Sequence, residues 1–153
     1  MLQAGDKAFE FSLLNQNEEM VKLSDFLGSK VVLYFYPKDD TPGCTTQACV
    51  FRDNYSLFKK HGVKVIGVSV DDTNKHTKFI EKYNLPFILL ADTEKEVVQE
   101  YGVWAEKVNY GKKYMGIKRT TFIIDEKGYI EKVYENAKPD TNATEILKYL
   151  GIL

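Results

Sequence analysis

Cysteine, long apolar runs and net charge are all scarce in this sequence, and each shortage excludes a class of protein. Two cysteines in 153 residues are fewer than a small secreted disulfide scaffold carries. No apolar stretch approaches the roughly 18 residues of a membrane span, and a net charge of −1 provides no basic surface for nucleic acid. Residues 1–11 lack the basic and then apolar order of a signal peptide. We therefore expect a cytoplasmic protein with neither nucleic acid nor membrane as a partner.

No feature of the sequence divides the chain into parts. It has no internal repeat, no low-complexity tract and no linker rich in Gly, Pro or Ser. Its 44% hydrophobic and 28% charged residues are an ordinary globular balance. We expect a single domain over residues 1–153, and a chain of this length buries roughly 70% of the surface that it exposes when unfolded.

Hydrophobic periodicity predicts strands that alternate with helices. Apolar residues alternate with polar ones on both sides of a turn at residues 15–18, which is typical of a β-hairpin. Continuous apolar runs predict strands covered on both faces, and apolar residues at helical spacing predict helices between them. The predicted strands are residues 31–36, 63–70, 87–90, 121–124 and 129–134; the predicted helices are 73–83, 94–101 and 142–150, with another that begins at Thr41 or Pro42.

This order of elements favours an α/β fold with parallel strand pairs. A hairpin near the C-terminus, with its turn at residues 125–128, makes the sheet mixed because hairpin strands are antiparallel. The order fits a thioredoxin-like fold, in which a mixed central sheet is flanked by helices and preceded here by an N-terminal β-hairpin.

The segment around the cysteines carries the chemistry. Thr41 has the side chain of an N-cap residue, whose hydroxyl accepts a hydrogen bond from a free backbone N–H, and Pro42 fits the first helical position. Cys44 would then lie in the first turn, where unpaired N–H groups and the helix dipole favour an anion. Because the thiolate is the reactive form of cysteine, this placement predicts a nucleophilic Cys44.

The two cysteines point in different directions from the predicted helix. Cys44 falls near the middle of the apolar stripe and should face the protein body, whereas Cys49 projects about 140° away and should face outward or toward a different neighbour. Their Cα atoms would be about 8.6 Å apart, beyond the roughly 7 Å that a disulfide spans. Our hypothesis is that a bond between them requires the first turn to unwind. The stripe consists of Ala48, Phe51, Tyr55 and Phe58.

Around these residues the sequence resembles the peroxiredoxin superfamily. The shared pattern is a proline, three residues, a threonine, two residues and a cysteine, here Pro37, Thr41 and Cys44. The longer stretch of residues 36–49 and the later stretch of residues 116–125 are similar to the bacterioferritin comigratory protein, or PrxQ, subfamily. The order of elements resembles that subfamily over nearly the whole chain.

The resemblance implies a role for each matching residue. Cys44 corresponds to the peroxidatic cysteine, which attacks a hydroperoxide and becomes a sulfenic acid, and Cys49 to the resolving cysteine, which closes a disulfide with it. Thr41 corresponds to the hydroxyl that bonds peroxide and thiolate. Pro37 corresponds to the residue that shields the pocket from water, and Arg119 to the guanidinium that stabilises the thiolate and the transition state.

The resemblance also implies an activity and its partners. It implies a monomeric thiol peroxidase that reduces hydrogen peroxide and organic hydroperoxides and is recycled by thioredoxin or a related dithiol protein. No cofactor is implied. Gln47 departs from the subfamily, in which Glu is more common at this position, because an amide can only hydrogen-bond where a carboxylate would pair with an Arg.

Other residues that could carry chemistry are interpreted as ordinary. His61 and His76 are expected on helix ends or surfaces. The adjacent aspartates at 39–40 and 71–72 are expected to lie in loops and at helix starts, so that we expect no metal site. The stretch before Arg119 is expected to be irregular. Its three aromatic residues are expected to pack locally; they are Trp104, Tyr110 and Tyr114.

Two alternative functions remain open at this point. A thioredoxin-like disulfide oxidoreductase would normally have two residues between its cysteines, whereas four separate Cys44 from Cys49. A thioredoxin-fold interaction module with incidental thiols would show an ordinary thiol titration and slow reaction with peroxide. Insulin reduction measured beside peroxide consumption, together with a thiolate titration, distinguishes these classes.

Overall fold

A seven-stranded mixed sheet organises the chain. The structure is a computed structural model and describes residues 1–153. Its strands are β1 (Ser12–Asn15), β2 (Met20–Lys22), β3 (Val31–Phe35), β4 (Lys64–Ser69), β5 (Ile88–Ala91), β6 (Trp104–Asn109), β7 (Lys112–Ile117), β8 (Thr120–Ile124) and β9 (Ile130–Glu135). Its helices are α1 (Pro42–Asp53), α2 (Tyr55–Lys60), α3 (Thr73–Tyr83), α4 (Glu96–Glu100) and α5 (Asn142–Tyr149), and a short 3-10 turn covers Leu23–Phe26.

The order of strands in this sheet is β2-β1-β5-β4-β3-β8-β9. β4 runs parallel to both β3 and β5, whereas β8 runs antiparallel to β3. The two hairpins, β1–β2 and β8–β9, are antiparallel and lie at opposite edges of the sheet. The α/β class, the mixed central sheet and the N-terminal hairpin are therefore confirmed.

Strand β3 lies in the middle of the molecule, as its unbroken apolar run predicts. All five of its residues are buried, and successive side chains enter opposite faces of the sheet. Leu33 and Phe35 join the core beneath α4, and Val32 and Tyr34 join the core beneath α1, α2, α3 and α5. None of these helices combines the length and the apolar character that a membrane crossing requires.

Helix α1 begins where the sequence predicts and ends earlier than its apolar stripe. Pro42 occupies its first position, and Asn54 separates it from α2. The stripe runs across this break: Ala48, Phe51 and Phe58 are fully buried, and Tyr55 is half-buried. Because the stripe packs against the sheet, the start of α1 lies next to the end of β3.

The stretch before Arg119 is not irregular, and that expectation is wrong. β6 and β7 form an antiparallel ribbon of six residue pairs outside the main sheet. Tyr110 and Gly111, with φ angles of 52° and 77°, make its two-residue turn. Trp104 packs against the core, but Tyr110 and Tyr114 are exposed. Because most of the ribbon is exposed on both faces, its sequence carries no alternating pattern.

His76 also differs from its expectation. It is fully buried in α3 instead of lying on the surface. Both ring nitrogens have polar partners: Nδ1 lies 2.6 Å from Asp39 Oδ2, and Nε2 lies 2.9 Å from the Leu90 carbonyl oxygen. These contacts make burial of a polar ring possible. His61 is exposed at the C-terminus of α2, as expected.

Candidate active site

Cys44 lies in the first turn of α1, immediately after the active-site loop (residues 36–41) that follows β3. Its side chain is buried, with 1% exposed, so the predicted inward direction is confirmed. The first intrahelical bond is donated by the Thr45 N–H to the Thr41 carbonyl at 2.8 Å. The N–H groups of Gly43 and Cys44 donate to no protein acceptor. They leave the helix start receptive to a negative charge, such as that of a thiolate.

Thr41 occupies the N-cap position but does not cap the helix. Its backbone is extended, and no backbone N–H bonds its side chain. The hydroxyl instead donates to the Lys38 carbonyl at 2.9 Å, within a turn in which Asp40 adopts a φ of 56°. The predicted capping bond is therefore wrong, and its absence leaves the two N–H groups free beside the sulfur.

Arg119 reaches Cys44 although 75 positions separate them in the chain. It lies between β7 and β8, and its carbonyl accepts the Ala137 N–H at 2.9 Å, which fixes the backbone. Nη2 lies 3.4 Å from Cys44 Sγ. Gly43 allows this approach, because a Cβ there would lie 3.1 Å from the same Nη2.

Gln47 holds the other side of the guanidinium. Its Oε1 accepts a hydrogen bond from Arg119 Nη1 at 2.8 Å, and its Nε2 donates to Asn142 Oδ1 at 3.3 Å. Asn142 Oδ1 also accepts the Thr121 hydroxyl at 2.8 Å, while Asn142 Nδ2 has no partner. This chain of buried amides and hydroxyl fixes the direction of Gln47 and thereby the plane of Arg119.

Cys49 and Pro37 lie nearby in less enclosed positions. Cys49 is half-buried, and both cysteines are free within an unbroken α1. Pro37 is half-buried in the active-site loop, next to the buried Tyr36. The helix therefore carries two thiols with different access to solvent, the more enclosed of which contacts an arginine.

A model of the AhpC/TSA family matches residues 4–133 of the chain. The chain belongs to the AhpC/TSA family. The peroxiredoxin Bcp of Bacillus subtilis is 48% identical over 149 residues, which are 97% of this chain and 95% of that protein. The putative peroxiredoxin bcp of Coxiella burnetii is 50% identical over 146 residues, which are 95% of this chain and 97% of that protein.

Solved structures agree with this assignment. The bacterioferritin comigratory protein of Xanthomonas campestris has a TM-score of 0.90 at 31% identity and matches 97% of this chain and 98% of its own. Peroxidoxin BcpB of Mycobacterium tuberculosis has a TM-score of 0.88 at 34% identity and matches 100% of this chain and 99% of its own. Within the AhpC/TSA family the chain is thus a Bcp/PrxQ peroxiredoxin with a thioredoxin-like fold, and such enzymes are peroxidases.

Two residues near the sulfurs of this peroxiredoxin were not found by sequence reasoning. Burial raises the pKa of Tyr34 well above 10, and negative charge at Cys44 would raise it further, so its unpartnered hydroxyl stays neutral. Burial lowers the pKa of Lys107 on β6, and the charge of Arg119 lowers it further, while charge at Cys44 opposes both. A second basic side chain on the ribbon therefore lies within electrostatic reach of Arg119 and Cys44, and no motif in the sequence signals it.

Proposed function

We propose that the enzyme reduces hydrogen peroxide and organic hydroperoxides through Cys44. The thiolate sulfur attacks one peroxide oxygen, and an S–O bond forms as the O–O bond breaks. The leaving oxygen takes up a proton and departs as water or an alcohol. Sulfur is oxidised by two electrons to a sulfenic acid, and the peroxide is reduced by the same two electrons.

The contact between Arg119 and Cys44 is the observation that supports this proposal most strongly. A guanidinium 3.4 Å from the sulfur stays charged at any accessible pH and presents several donors in one plane. It can stabilise the thiolate and then the charge that develops on the leaving oxygen. The N–H groups of Gly43 and Cys44, which bond no protein acceptor, add the positive end of the helix dipole to this stabilisation.

Cys49 supplies the second step. Its thiol condenses with the sulfenic acid, a disulfide forms, and one water is released. The two sulfurs share an intact α1, so the first turn unwinds before they bond. A dithiol reductant such as thioredoxin then attacks the disulfide and restores both thiols while it becomes oxidised itself.

Thr41 and Pro37 complete the proposed site. The Thr41 hydroxyl donates to Lys38, so its oxygen keeps a lone pair that can accept the O–H of a hydroperoxide. Pro37, which lies in the active-site loop and has no N–H to attract water, shields the sulfur from solvent. We place the cycle in a monomer within the cytoplasm, where dithiol proteins keep thiols reduced.

Replacement of each cysteine separates the two steps. Cys44→Ser should abolish peroxide consumption, because no thiolate remains at the helix start. Cys49→Ser should consume about one equivalent of peroxide rapidly and then fail to turn over with thioredoxin, because the sulfenic acid has no partner in the chain. Stopped-flow mixing with peroxide, followed by a steady-state assay with a thioredoxin system, measures both.

Two outcomes contradict these assignments. Sustained turnover of Cys49→Ser with thioredoxin at the unmodified rate would remove its resolving role. Peroxide treatment that leaves both thiols of the unmodified protein free would remove the whole mechanism. Insulin reduction faster than peroxide reduction would instead favour a disulfide oxidoreductase.

A further inference from the structure

The protonation of His76 follows from the atoms that surround its ring. The Leu90 carbonyl can only accept, so Nε2, at 2.9 Å from it, carries a hydrogen. Nδ1 faces Asp39 Oδ2 at 2.6 Å. A neutral ring with its hydrogen on Nε2 would turn a bare Nδ1 toward a carboxylate oxygen, unless Asp39 carried the proton.

The other oxygen of the Asp39 side chain also acts as an acceptor. Its Oδ1 accepts the Tyr36 hydroxyl at 2.5 Å, and burial, followed by the charge of Asp39, raises the pKa of Tyr36 well above 10, so this donor keeps its hydrogen. Asp71 holds the backbone of Asp39, since its Oδ2 accepts the Asp39 N–H at 2.8 Å and the Ser69 hydroxyl at 2.7 Å. Because a carboxylate oxygen only accepts, a hydrogen on His76 Nδ1 completes the contact at 2.6 Å, and with both nitrogens protonated the ring is an imidazolium.

This pair lies at the base of the active-site loop. The side chain of His76 is 0% exposed and that of Asp39 is 6% exposed, so water competes little for their contact. A second attachment to α3 is at the surface, where Asp40 accepts hydrogen bonds from Lys82 Nζ at 2.8 Å and from the Tyr83 hydroxyl at 2.9 Å. The loop is thus held by α3 and the end of β4, elements that do not contain the cysteines.

We infer that His76 and Asp39 are positioning residues for the chemistry of Cys44. As a preformed imidazolium–carboxylate pair, they hold the active-site loop so that Pro37 and Thr41 stay in place for an incoming hydroperoxide. Because the attachment is to α3, the loop stays in place while the first turn of α1 unwinds, and the site can re-form around Cys44 after each reduction. The inference rests on the function proposed for Cys44.

Asp39→Asn tests the pair with little change in shape. The introduced amide can still accept from Tyr36 and donate to a neutral His76, but the charge pair is lost. We expect the second-order rate constant of Cys44 with peroxide to fall by between about 10-fold and 100-fold, as small misplacements of reacting groups do. Alkylation of Cys44 by iodoacetamide should change by less than about threefold, because that reagent needs the thiolate but not the loop.

Lys82→Gln is the matched control. It removes the exposed attachment of the same loop to the same helix, and exposed pairs contribute little. Its rate constant with peroxide should stay within about threefold of that of the unmodified protein. An equal loss in both variants would overturn the special role of the buried pair.

Nitrogen-15 NMR of the imidazole provides a readout that does not depend on activity. Both ring nitrogens of His76 should be protonated at neutral pH in the unmodified protein, and only one in Asp39→Asn. One bare nitrogen in the unmodified protein overturns the charge pair. If Asp39→Asn does not fold, His76→Gln, which keeps one donor toward Asp39 without the charge, replaces it in the kinetic assays.

The kinetic outcomes separate this inference from the proposed function. Loss of peroxide reactivity with alkylation retained supports positioning. An unchanged peroxide rate overturns it, and so does a parallel loss of both reactions, since that indicates general damage to the helix start. If the unmodified protein itself fails to react with peroxide, the proposed function fails, whatever the NMR shows.

Discussion

Gln47 determines how the positive charge of Arg119 is shared. Its amide is fully buried and accepts a hydrogen bond from the guanidinium without adding charge. Arg119 forms no ion pair with any carboxylate of the chain. The full guanidinium charge is therefore available to the sulfur of Cys44, and the departure from the more common Glu changes the electrostatics of the site, not its geometry.

Gln47→Glu should weaken the thiolate. A carboxylate at this position would bond Arg119 and place a like charge near the anionic sulfur, which favours the thiol. We expect iodoacetamide to alkylate Cys44 about threefold to tenfold more slowly at pH 7, and the thiolate titration followed at 240 nm to move to higher pH. The peroxide rate should fall with it.

Thr46→Glu is the control for Gln47→Glu. Thr46 is exposed on the same turn of α1, so a carboxylate there adds the same charge where water screens it. Its alkylation rate should stay close to that of the unmodified protein. Equal rates in the two variants would show that the hydrogen bond of Gln47 to Arg119 does not control the charge at Cys44.

At the scale of elements, the proposed mechanism requires α1 to be wound in the reduced form and open in the disulfide form. In the reduced form, Ala48 and Phe51 fix the middle of the helix to the core, while its first turn is held mainly by Cys44 and Arg119. In the proposed mechanism, disulfide formation moves the Cys44 sulfur away from Arg119. Unwinding should therefore start at Gly43, and its extent should decrease toward Phe51.

Amide hydrogen exchange measures this switch. Protection of residues 43–51 should fall about tenfold or more in the disulfide form, whereas α3 and α5 should exchange alike in both forms. Cys49→Ser, treated with one equivalent of peroxide, is the matched control, because it is oxidised but cannot close the disulfide. Identical exchange of residues 43–51 in the reduced and disulfide forms would reject the switch.

The elements that sequence predicts well are those with buried, periodic residues. Strand β3 is buried on both faces and therefore shows a continuous apolar run. Helix α1 is buried on one face and therefore shows apolar residues at helical spacing. The β6–β7 ribbon leaves none, and its only signal is the turn at Tyr110 and Gly111. Likewise Arg119 is found through a motif, while the partner of His76 lies 37 positions away, a distance that no local pattern spans.

For the molecule as a whole, Gly67 links the sheet to the helix that carries Cys44. It lies opposite Tyr34 on one side and Leu89 on the other, and a Cβ there would lie 2.7 Å from Leu89 Cδ2 and 2.9 Å from Tyr34 Cζ. The Tyr34 ring in turn stacks on Phe51 of α1, with centroids 4.7 Å apart. A glycine in β4 thus makes room for the aromatic layer on which α1 rests.

Gly67→Ala should destabilise the fold without disabling the site. The added methyl group overpacks the core, which typically costs about 1–3 kcal/mol, because it would approach two fully buried side chains, Leu89 and Tyr34, more closely than van der Waals contact allows. Urea unfolding of the reduced protein should show a lower midpoint with an unchanged slope. The rate constant of Cys44 with peroxide in the folded protein should remain near that of the unmodified enzyme, since the methyl group meets Leu89 and Tyr34, neither of which bonds Cys44 or Arg119. Ser56→Ala is the control, because Ser56 is exposed on α2, and it should change the free energy of unfolding by less than about 0.5 kcal/mol. If Gly67→Ala has the same midpoint as this control, the aromatic layer can shift to accept the methyl group.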